Sequence, residues 1–323
     1  SGPIWQTSYQ PSLGTNSGDM SGSWVAVTGA TGFIGRALLQ SLIEQGWKIK
    51  ALTRYPQADN ESIQWIEGDL DNSDALSRLV KDVCAVVHCA GQVKGQSLKD
   101  FVHTNVEGTR NLLRASTQQT TPPRFLLISS LAARHPELSW YATSKRMAEL
   151  SVINHSPPIP FTVFRPTAVY GPGDREMKPL FRATRRGVLP MVGKPGMRFG
   201  LLHVSDLVAA VLFWLSSPVP VQGVYELDDG MPGGYDSKSV ATIAQEVWGR
   251  PVRCVFLPGS LVSLVANINL WSARLLRYSP MLTPGKVREL QHPDWVCDIT
   301  PLTRALPGWR PCVRLRDALA QAI

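Results

Sequence analysis

The 323-residue sequence predicts an α/β fold: a doubly wound parallel sheet joined to a smaller C-terminal α/β region. Three observations predict it. From residue 24 to about residue 171, short apolar runs alternate with helix-length amphipathic segments, the pattern of strands buried under helices on both faces. A glycine-rich run, T-G-x-x-G-x-x-G, joins the first apolar run to the first helical segment. Beyond about 171 the alternation loosens, as in a region that serves a different purpose.

The elements follow in order. "WVAVTG" (24–29) reads as a buried strand, and "GRALLQSLIEQG" (35–46) as an amphipathic helix closed by Gly46. "KIKALTR" (48–54) and "IQWIEGD" (63–69) are strands two and three, and "DALSRLVKD" (74–82) is a helix. "AVVHCAG" (85–91) is a strand, "HTNVEGTRNLLRAST" (103–117) a helix and "RFLLISS" (124–130) a strand. "YATSKRMAELSVIN" (141–154) is a helix, followed by the strand "FTVFRPTAVYG" (161–171). Further on, "VSDLVAAVLFWLSS" and "SKSVATIAQEVWGR" read as helices, "GVYELDDG" and "VRCVFLP" as strands, and 260–277 as a long amphipathic stretch.

Composition narrows the partners. The net charge of +8 and the pI of 9.4 favour something anionic: a phosphorylated cofactor, nucleic acid or an anionic membrane surface. The basic residues are scattered, "RATRR" (182–186) being the densest run, and no basic face is interleaved with aromatics; no nucleic-acid role is expected. No apolar run reaches the ~18 residues of a membrane span, which leaves only peripheral lipid contact. Five cysteines without a C-x-x-C pair point to a reducing, cytoplasmic setting, and no cluster suggests a metal. Residues 1–22, rich in Gly, Ser and Pro, read as a flexible tail without the features of a signal peptide.

Gly29, Gly32 and Gly35 permit a tight turn and a close backbone approach to a pyrophosphate. The following helix N-terminus offers free N–H groups and partial positive charge. A dinucleotide is therefore expected, with residues 23–170 as its domain and 171–323 as the main substrate region, interleaved with it. An acidic residue after the second strand would bind the ribose hydroxyls of NAD(H). Thr53 and Arg54 stand there instead, and an Arg pairs with a 2′-phosphate, so NADP(H) is preferred over NAD(H). Asp69, after the third strand, is positioned for the adenine amino group.

Tyr141 and Lys145 lie four apart on a predicted helix and share a face. A nearby ammonium stabilises a phenolate and lowers the phenol pKa. A Tyr so tuned exchanges a proton with an alcohol or ketone oxygen while hydride moves to or from a nicotinamide. Ser130, at the end of the preceding strand, can hydrogen-bond the same oxygen.

With these residues, from "VTGATGFIG" through "GDL", "VVHCAG", "NVEGTRNLL", "LLISS", "YATSK", "FRPTAVYGPGD" and "LLHVSDLV", the chain resembles the short-chain dehydrogenase/reductase superfamily. Within it, the resemblance is to the extended, NAD-dependent epimerase/dehydratase-like branch, and it runs from Val25 to about Ala320. It implies a Rossmann fold. It also implies that Gly29, Thr31, Gly32, Phe33, Ile34 and Gly35 hold the pyrophosphate and that Asp69 and Leu70 flank the adenine. Ala90, Gly91, Pro166, Thr167 and Val169 would line the nicotinamide. Ser130, Tyr141 and Lys145 would be the catalytic set, Lys145 also reaching the ribose, with Asn105 supporting them from the helix behind. His203 and Asp206 match a structural element of the C-terminal region.

Two departures bear on substrate. Ser130 and Tyr141 are only 11 positions apart, so the loop that shapes a nucleotide-sugar pocket in the extended branch is short here. Leu131 and Ala132 stand where dehydratases of the family carry an Asp-Glu pair, which argues against 4,6-dehydration. The order of segments after residue 260 is similar to hydroxysteroid and sterol-carboxylate dehydrogenases, which handle lipophilic ketones and alcohols.

Three functions follow: an NADP(H)-dependent oxidoreductase on a ketone or secondary alcohol, a nucleotide-sugar epimerase with tightly held NAD(P), and a dinucleotide-binding regulator without turnover. The intact Ser-Tyr-Lys set argues against the third, and the first is favoured over the epimerase. Specificity is expected from 171–200 and 260–290, in a small-molecule enzyme for which a homodimer stays open. Arg175, Lys178, Arg182, Arg185, Arg186, Lys194 and Arg198 would serve a diphosphate substrate. Leu131, Met177, Leu180, Phe181, Met191, Leu264 and Trp271 would serve an apolar one.

Overall fold

The computed structural model describes residues 23–323; the tail expected over 1–22 lies outside the described residues. The first half runs β1 (Trp24–Thr28), α1 (Phe33–Glu44), β2 (Lys48–Thr53), β3 (Ile63–Glu67), α2 (Ser73–Val80), β4 (Ala85–His88) and α3 (Leu98–Val102). A π-helical turn (His103–Glu107) leads into α4 (Gly108–Thr117), then β5 (Arg124–Ile128), α5 (Trp140–Ile153) and β6 (Phe161–Pro166). The second half runs β7 (Ala168–Tyr170), α6 (Lys178–Arg185), β8 (Val188–Val192), β9 (Arg198–Phe199), β10 (Leu201–His203), α7 (Val204–Ser216) and β11 (Gly223–Leu227). It closes with α8 (Ser237–Trp248), β12 (Arg253–Leu257), α9 (Gly259–Leu276), α10 (Pro284–Gln291), β13 (Asp294–Trp295), α11 (Thr300–Ala305) and α12 (Leu315–Ala318).

Seven strands pair in parallel in the order β11-β6-β5-β4-β1-β2-β3, a doubly wound Rossmann-like sheet. Its central strands are apolar and β-branched because both faces are covered. On one face, α1 and α7 bury Leu38, Leu42, Leu207, Val211 and Trp214 against Val25, Val27 and Val87. On the other, α2, α4 and α5 bury Leu76, Leu79, Leu112, Leu113 and Ala148 against Ala26, Val86 and Phe125. The strand order reverses between β1 and β4, which opens a crevice at their C-terminal ends, the place where such sheets bind ligands. A third core, around Phe181, Leu189, Tyr235, Val240 and Leu315, belongs to the C-terminal region.

The structure redraws two expected elements and adds one. The helix expected over 103–117 is α4 preceded by the π turn and α3, and α3 starts at a Ser97/Asp100 capping box. The strand expected over 161–171 breaks after Pro166. Thr167 still donates its N–H to the Leu227 carbonyl (2.9 Å), and the chain then leaves the sheet to pair β7 with β10. Helix α10 was not anticipated, although Thr283 as its N-cap and Pro284 in its first turn are ordinary start signals.

Candidate functional site

The crevice is built first from glycines. Gly29 adopts φ +68°, and a β-carbon on it would stand 2.6 Å from the Ala90 nitrogen. A β-carbon on Gly35 would stand 2.0 Å from the Gly29 carbonyl oxygen. Side chains are thus excluded where β1 turns into α1, and Gly32 sits as the N-cap with no side chain to occupy the free N–H groups. A pyrophosphate fits this cradle. Thr31 is exposed at its rim, while Phe33 and Ile34 are half-buried and pack back onto the core.

The floor of the crevice is held by a hydrogen-bonded chain that the sequence reading did not identify. The His88 ring lies between Thr28 Oγ1 (2.6 Å) and Thr109 Oγ1 (3.0 Å). Thr109 donates its hydroxyl to the Asn105 carbonyl (2.7 Å), and the Ala90 N–H donates to Thr28 Oγ1 (3.2 Å). His88 is fully buried; desolvation first, then the Lys145 charge, lowers its pKa to about 3, so the ring is neutral. The only signal in sequence was a polar residue ending the apolar run "AVVH".

Lys145 and Asn105 sit against the turn after β4. A β-carbon on Gly91 would lie 2.9 Å from Lys145 Nζ and 3.4 Å from Asn105 Oδ1. Asn105 accepts the Gln92 N–H (2.7 Å) and donates to the Gln92 carbonyl (3.0 Å) and to Ser144 Oγ (2.9 Å). It occupies the π turn, where the widened helix aims it at the crevice. Lys145 donates to the Ile128 carbonyl (3.3 Å), and burial lowers its pKa to about 8, opposed by Cys89 and Glu149.

Tyr141 lies in the first turn of α5, which Ser139 caps by accepting the Ala142 N–H (2.9 Å). Lys145 Nζ lies 5.8 Å from the Tyr141 ring centroid, and Phe101 meets the ring edge-on at 6.3 Å. Ser130 hydrogen-bonds the phenol, and its Oγ also accepts the Ala132 N–H (3.2 Å). The expected lowering of the phenol pKa is corrected here. Burial raises it and outweighs the Ser130 hydrogen bond, with the fields of Glu289 and Glu176 adding to the rise.

Known proteins are similar to the chain in sequence and in fold. Residues 25–227 match the model of the NAD-dependent epimerase/dehydratase family. The chain is 36% identical over 290 residues to a ceramide reductase of Caulobacter vibrioides, covering 88% of this chain and 89% of that protein. It is 26% identical over 324 residues to a 2-alkyl-3-oxoalkanoate reductase of Stenotrophomonas maltophilia, covering 91% and 97%. In fold it is similar to a UDP-glucuronic acid 4-epimerase of Bacillus cereus solved with UDP-glucuronic acid and NAD, at TM-score 0.71 and 20% identity, covering 93% and 97%.

The chain belongs to the NAD-dependent epimerase/dehydratase family, within the extended short-chain dehydrogenase/reductases. It is an NAD(P)-dependent, oxidoreductase-like enzyme.

At the outer end of this family's crevice, Arg54, Tyr55, Glu67, Gly68, Asp69, Asn72 and Arg78 line a cleft of about 620 Å³. Arg54 is exposed, and Arg78 donates to the Glu67 carbonyl (3.4 Å), so two guanidinium groups border the cleft. Asp69 turns its carboxylate to the Asp71 N–H (2.9 Å), and Leu70 is held by Asn111 donating to its carbonyl (2.9 Å). At the inner end, Pro166 and Thr167 are buried and Val169 packs on the core, Thr167 Oγ1 being buried without a partner. His203 caps α7, and Asp206 accepts the Cys312 and Val313 N–H groups (3.0 and 2.9 Å), both structural.

On the substrate side the candidates separate. Arg175, Arg182, Arg185, Arg186, Lys194 and Arg198 are exposed; Arg185 stacks on Trp248 (5.9 Å) and Arg198 pairs with Asp236 (3.4 Å). Lys178 lies in the first turn of α6. Leu131 and Phe181 are buried, and Met177, Leu180 and Met191 pack on the third core. Leu264 and Trp271 do not line a cavity; both are exposed on the outer face of α9. Among the described residues no group of ligands could hold a metal ion.

Proposed function

We propose that the chain is an NADP(H)-dependent reductase of an uncharged, lipophilic ketone, with Tyr141 as the proton donor. One observation carries the substrate class. The Tyr141 phenol is walled by Phe101, and of the nearby carboxylates Glu289 is neutralised by Lys286 (3.0 Å), whereas Arg185 and Arg198 are engaged elsewhere. An apolar Phe101 wall with no free guanidinium beside it, among the described residues, suits a neutral carbonyl better than a diphosphate. The two named relatives support this, since both reactions are reductions and both names denote molecules with alkyl chains.

The residues fit a dinucleotide. Gly29, Gly32 and Gly35 would cradle its pyrophosphate, Lys145 and Asn105 would border its nicotinamide end, and Arg54 with Arg78 would hold a 2′-phosphate. When bound, the cofactor supplies the hydride. Tyr141 holds a proton that burial keeps on the phenol, and so presents an O–H to the substrate oxygen. Ser130 hydrogen-bonds that phenol and orients it. The Lys145 ammonium, in the charged state, stabilises the phenolate left when the proton moves.

The test is consumption of NADPH with a panel of long-chain 3-oxo amphiphiles, run beside conversion of UDP-hexoses. Turnover of a ketone with NADPH is expected. Conversion of a UDP-hexose without net NADPH use would replace this reading with the epimerase.

A further inference from the structure

Helix α9 is amphipathic in the inverted sense for a surface helix. At 3.6 residues per turn, Ala266, Leu270 and Ala273 fall on one side and are buried. Leu261, Leu264, Ile268, Trp271 and Leu275 fall on the other and face solvent, Leu264 at 57%, Trp271 at 67% and Leu275 at 66% exposure. A soluble surface helix places polar residues there. Of the cations that follow the apolar stripe, Arg274, Arg277 and Arg288 are exposed, while Lys286 is paired with the buried Glu289 (3.0 Å), and no carboxylate occurs in the sequence from 247 to 288.

The face is continuous with the site. Gln96 donates to the carbonyls of Ala273 (2.9 Å) and Tyr278 (2.5 Å), and Arg274 donates to the Gln96 carbonyl (3.4 Å). These bonds fasten α9 to the segment that starts at Gly91, beside Lys145 Nζ. The same segment exposes Val93 and Leu98. Apolar surface therefore extends from the helix toward the crevice mouth.

We infer that this face docks on the interfacial region of an anionic phospholipid bilayer. The apolar side chains enter the acyl boundary, Trp271 sits at headgroup level, and the arginines meet lipid phosphates. Among the described residues no helix is long and apolar enough to cross a membrane, so α9 lies on the surface. A second copy or another protein would also cover an apolar stripe. Its border of exposed arginines, Arg274, Arg277 and Arg288, matches the charge of an anionic leaflet. Where the ketone reading of the site holds, docking brings the crevice mouth to the lipid phase that holds the substrate.

The experiment is co-sedimentation of the full chain with vesicles of phosphatidylglycerol and phosphatidylcholine, or of phosphatidylcholine alone. The wild type should pellet with the anionic vesicles and be released by high salt. Leu261→Glu/Ile268→Glu should lower the bound fraction about tenfold or more, because charge is placed where acyl chains would be. Val265→Glu/Leu275→Ser guards against a pair that fails to fold, and unchanged thermal melting certifies each. Equal pelleting with phosphatidylcholine alone, or none with either, overturns the proposal. So does a wild-type dimer that the same substitutions dissociate, which would assign the face to a second copy. Binding is read without turnover. Both variants should keep wild-type rates on a short-chain ketone, so failure of docking and failure of the reductase reading are told apart.

Discussion

The Lys145 ammonium occupies the space beside Gly91, 2.9 Å from where a β-carbon would stand. Glycine at 91 therefore sets the position of the ammonium. Because the obstructing atom ends a flexible side chain, Gly91→Ala moves Lys145 rather than the backbone. Thermal stability should change little, while turnover falls about 10–100-fold from misplacement of a charged group in the site. A large loss of melting temperature with the specific activity of the folded fraction unchanged would show that Gly91 is only a turn residue.

Lys145 gives opposite pH signatures for activity and for stability. The Lys145 pKa is lowered to about 8, so the ammonium is lost as pH rises through that value and kcat/KM should fall on that limb. Stability moves the other way. The unfolded chain binds more protons between about 8 and the free lysine value of about 10.4, so this group's contribution to stability grows as pH rises through that window. Lys145→Arg, whose guanidinium stays charged, should remove the alkaline limb in whatever activity remains. Tyr141→Phe should cost about 10²–10⁴-fold in turnover and leave dinucleotide binding intact. An alkaline limb unmoved in Lys145→Arg would assign it to another group.

The N-terminal half was legible because each strand is a buried apolar run and each turn carries glycine or a cap. Gly29, Gly35 and Lys145 could be placed by pattern alone. Other features depend on contacts between distant segments. The chain through Thr28, His88 and Thr109 joins three elements, and no local periodicity announces it. Trp271 and Leu264 were expected in a cavity because an apolar stripe has no sign: periodicity shows that a face exists, not which way it looks. The Tyr141 phenol was expected to ionise more readily because sequence shows a lysine four residues away and does not show desolvation.

Arg54 and Arg78 border the same cleft at the ends of β2 and α2. If they hold a 2′-phosphate, Arg54→Ala should weaken NADPH by about 10–100-fold, the loss of one or two charge-assisted hydrogen bonds, and leave NADH nearly unchanged. Arg78→Ala should act in the same direction and more weakly, because its guanidinium also serves the Glu67 carbonyl. The effect should shrink with added salt, since the cleft is open to solvent. Titration by fluorescence quenching measures both cofactors. Equal losses for NADPH and NADH would mean that the arginines serve the adenosine in common rather than a phosphate.

Behind Ser130, Glu149 is fully buried and carries a converging set of partners. It accepts from Arg165 Nε (2.8 Å) and Nη2 (2.5 Å), from Ser129 Oγ (2.6 Å) and from Arg146 Nη1 (3.2 Å). Ser129 and Arg165 lie on neighbouring chain segments at the ends of β5 and β6, so the carboxylate of α5 ties the catalytic helix to the edge of the crevice. Glu149→Ala would leave the Arg165 guanidinium desolvated with only Glu226 nearby, at 4.0 Å. Breaking a buried pair from one side costs about 3–5 kcal/mol, more than the net worth of the intact pair. Urea denaturation should show that loss. Glu149→Gln keeps the acceptor and the shape, so it should recover part of the stability while leaving Arg165 without its counter-charge. If Glu149→Ala unfolds at the wild-type midpoint, the network contributes no stability and the position of α5 is set by its apolar contacts alone.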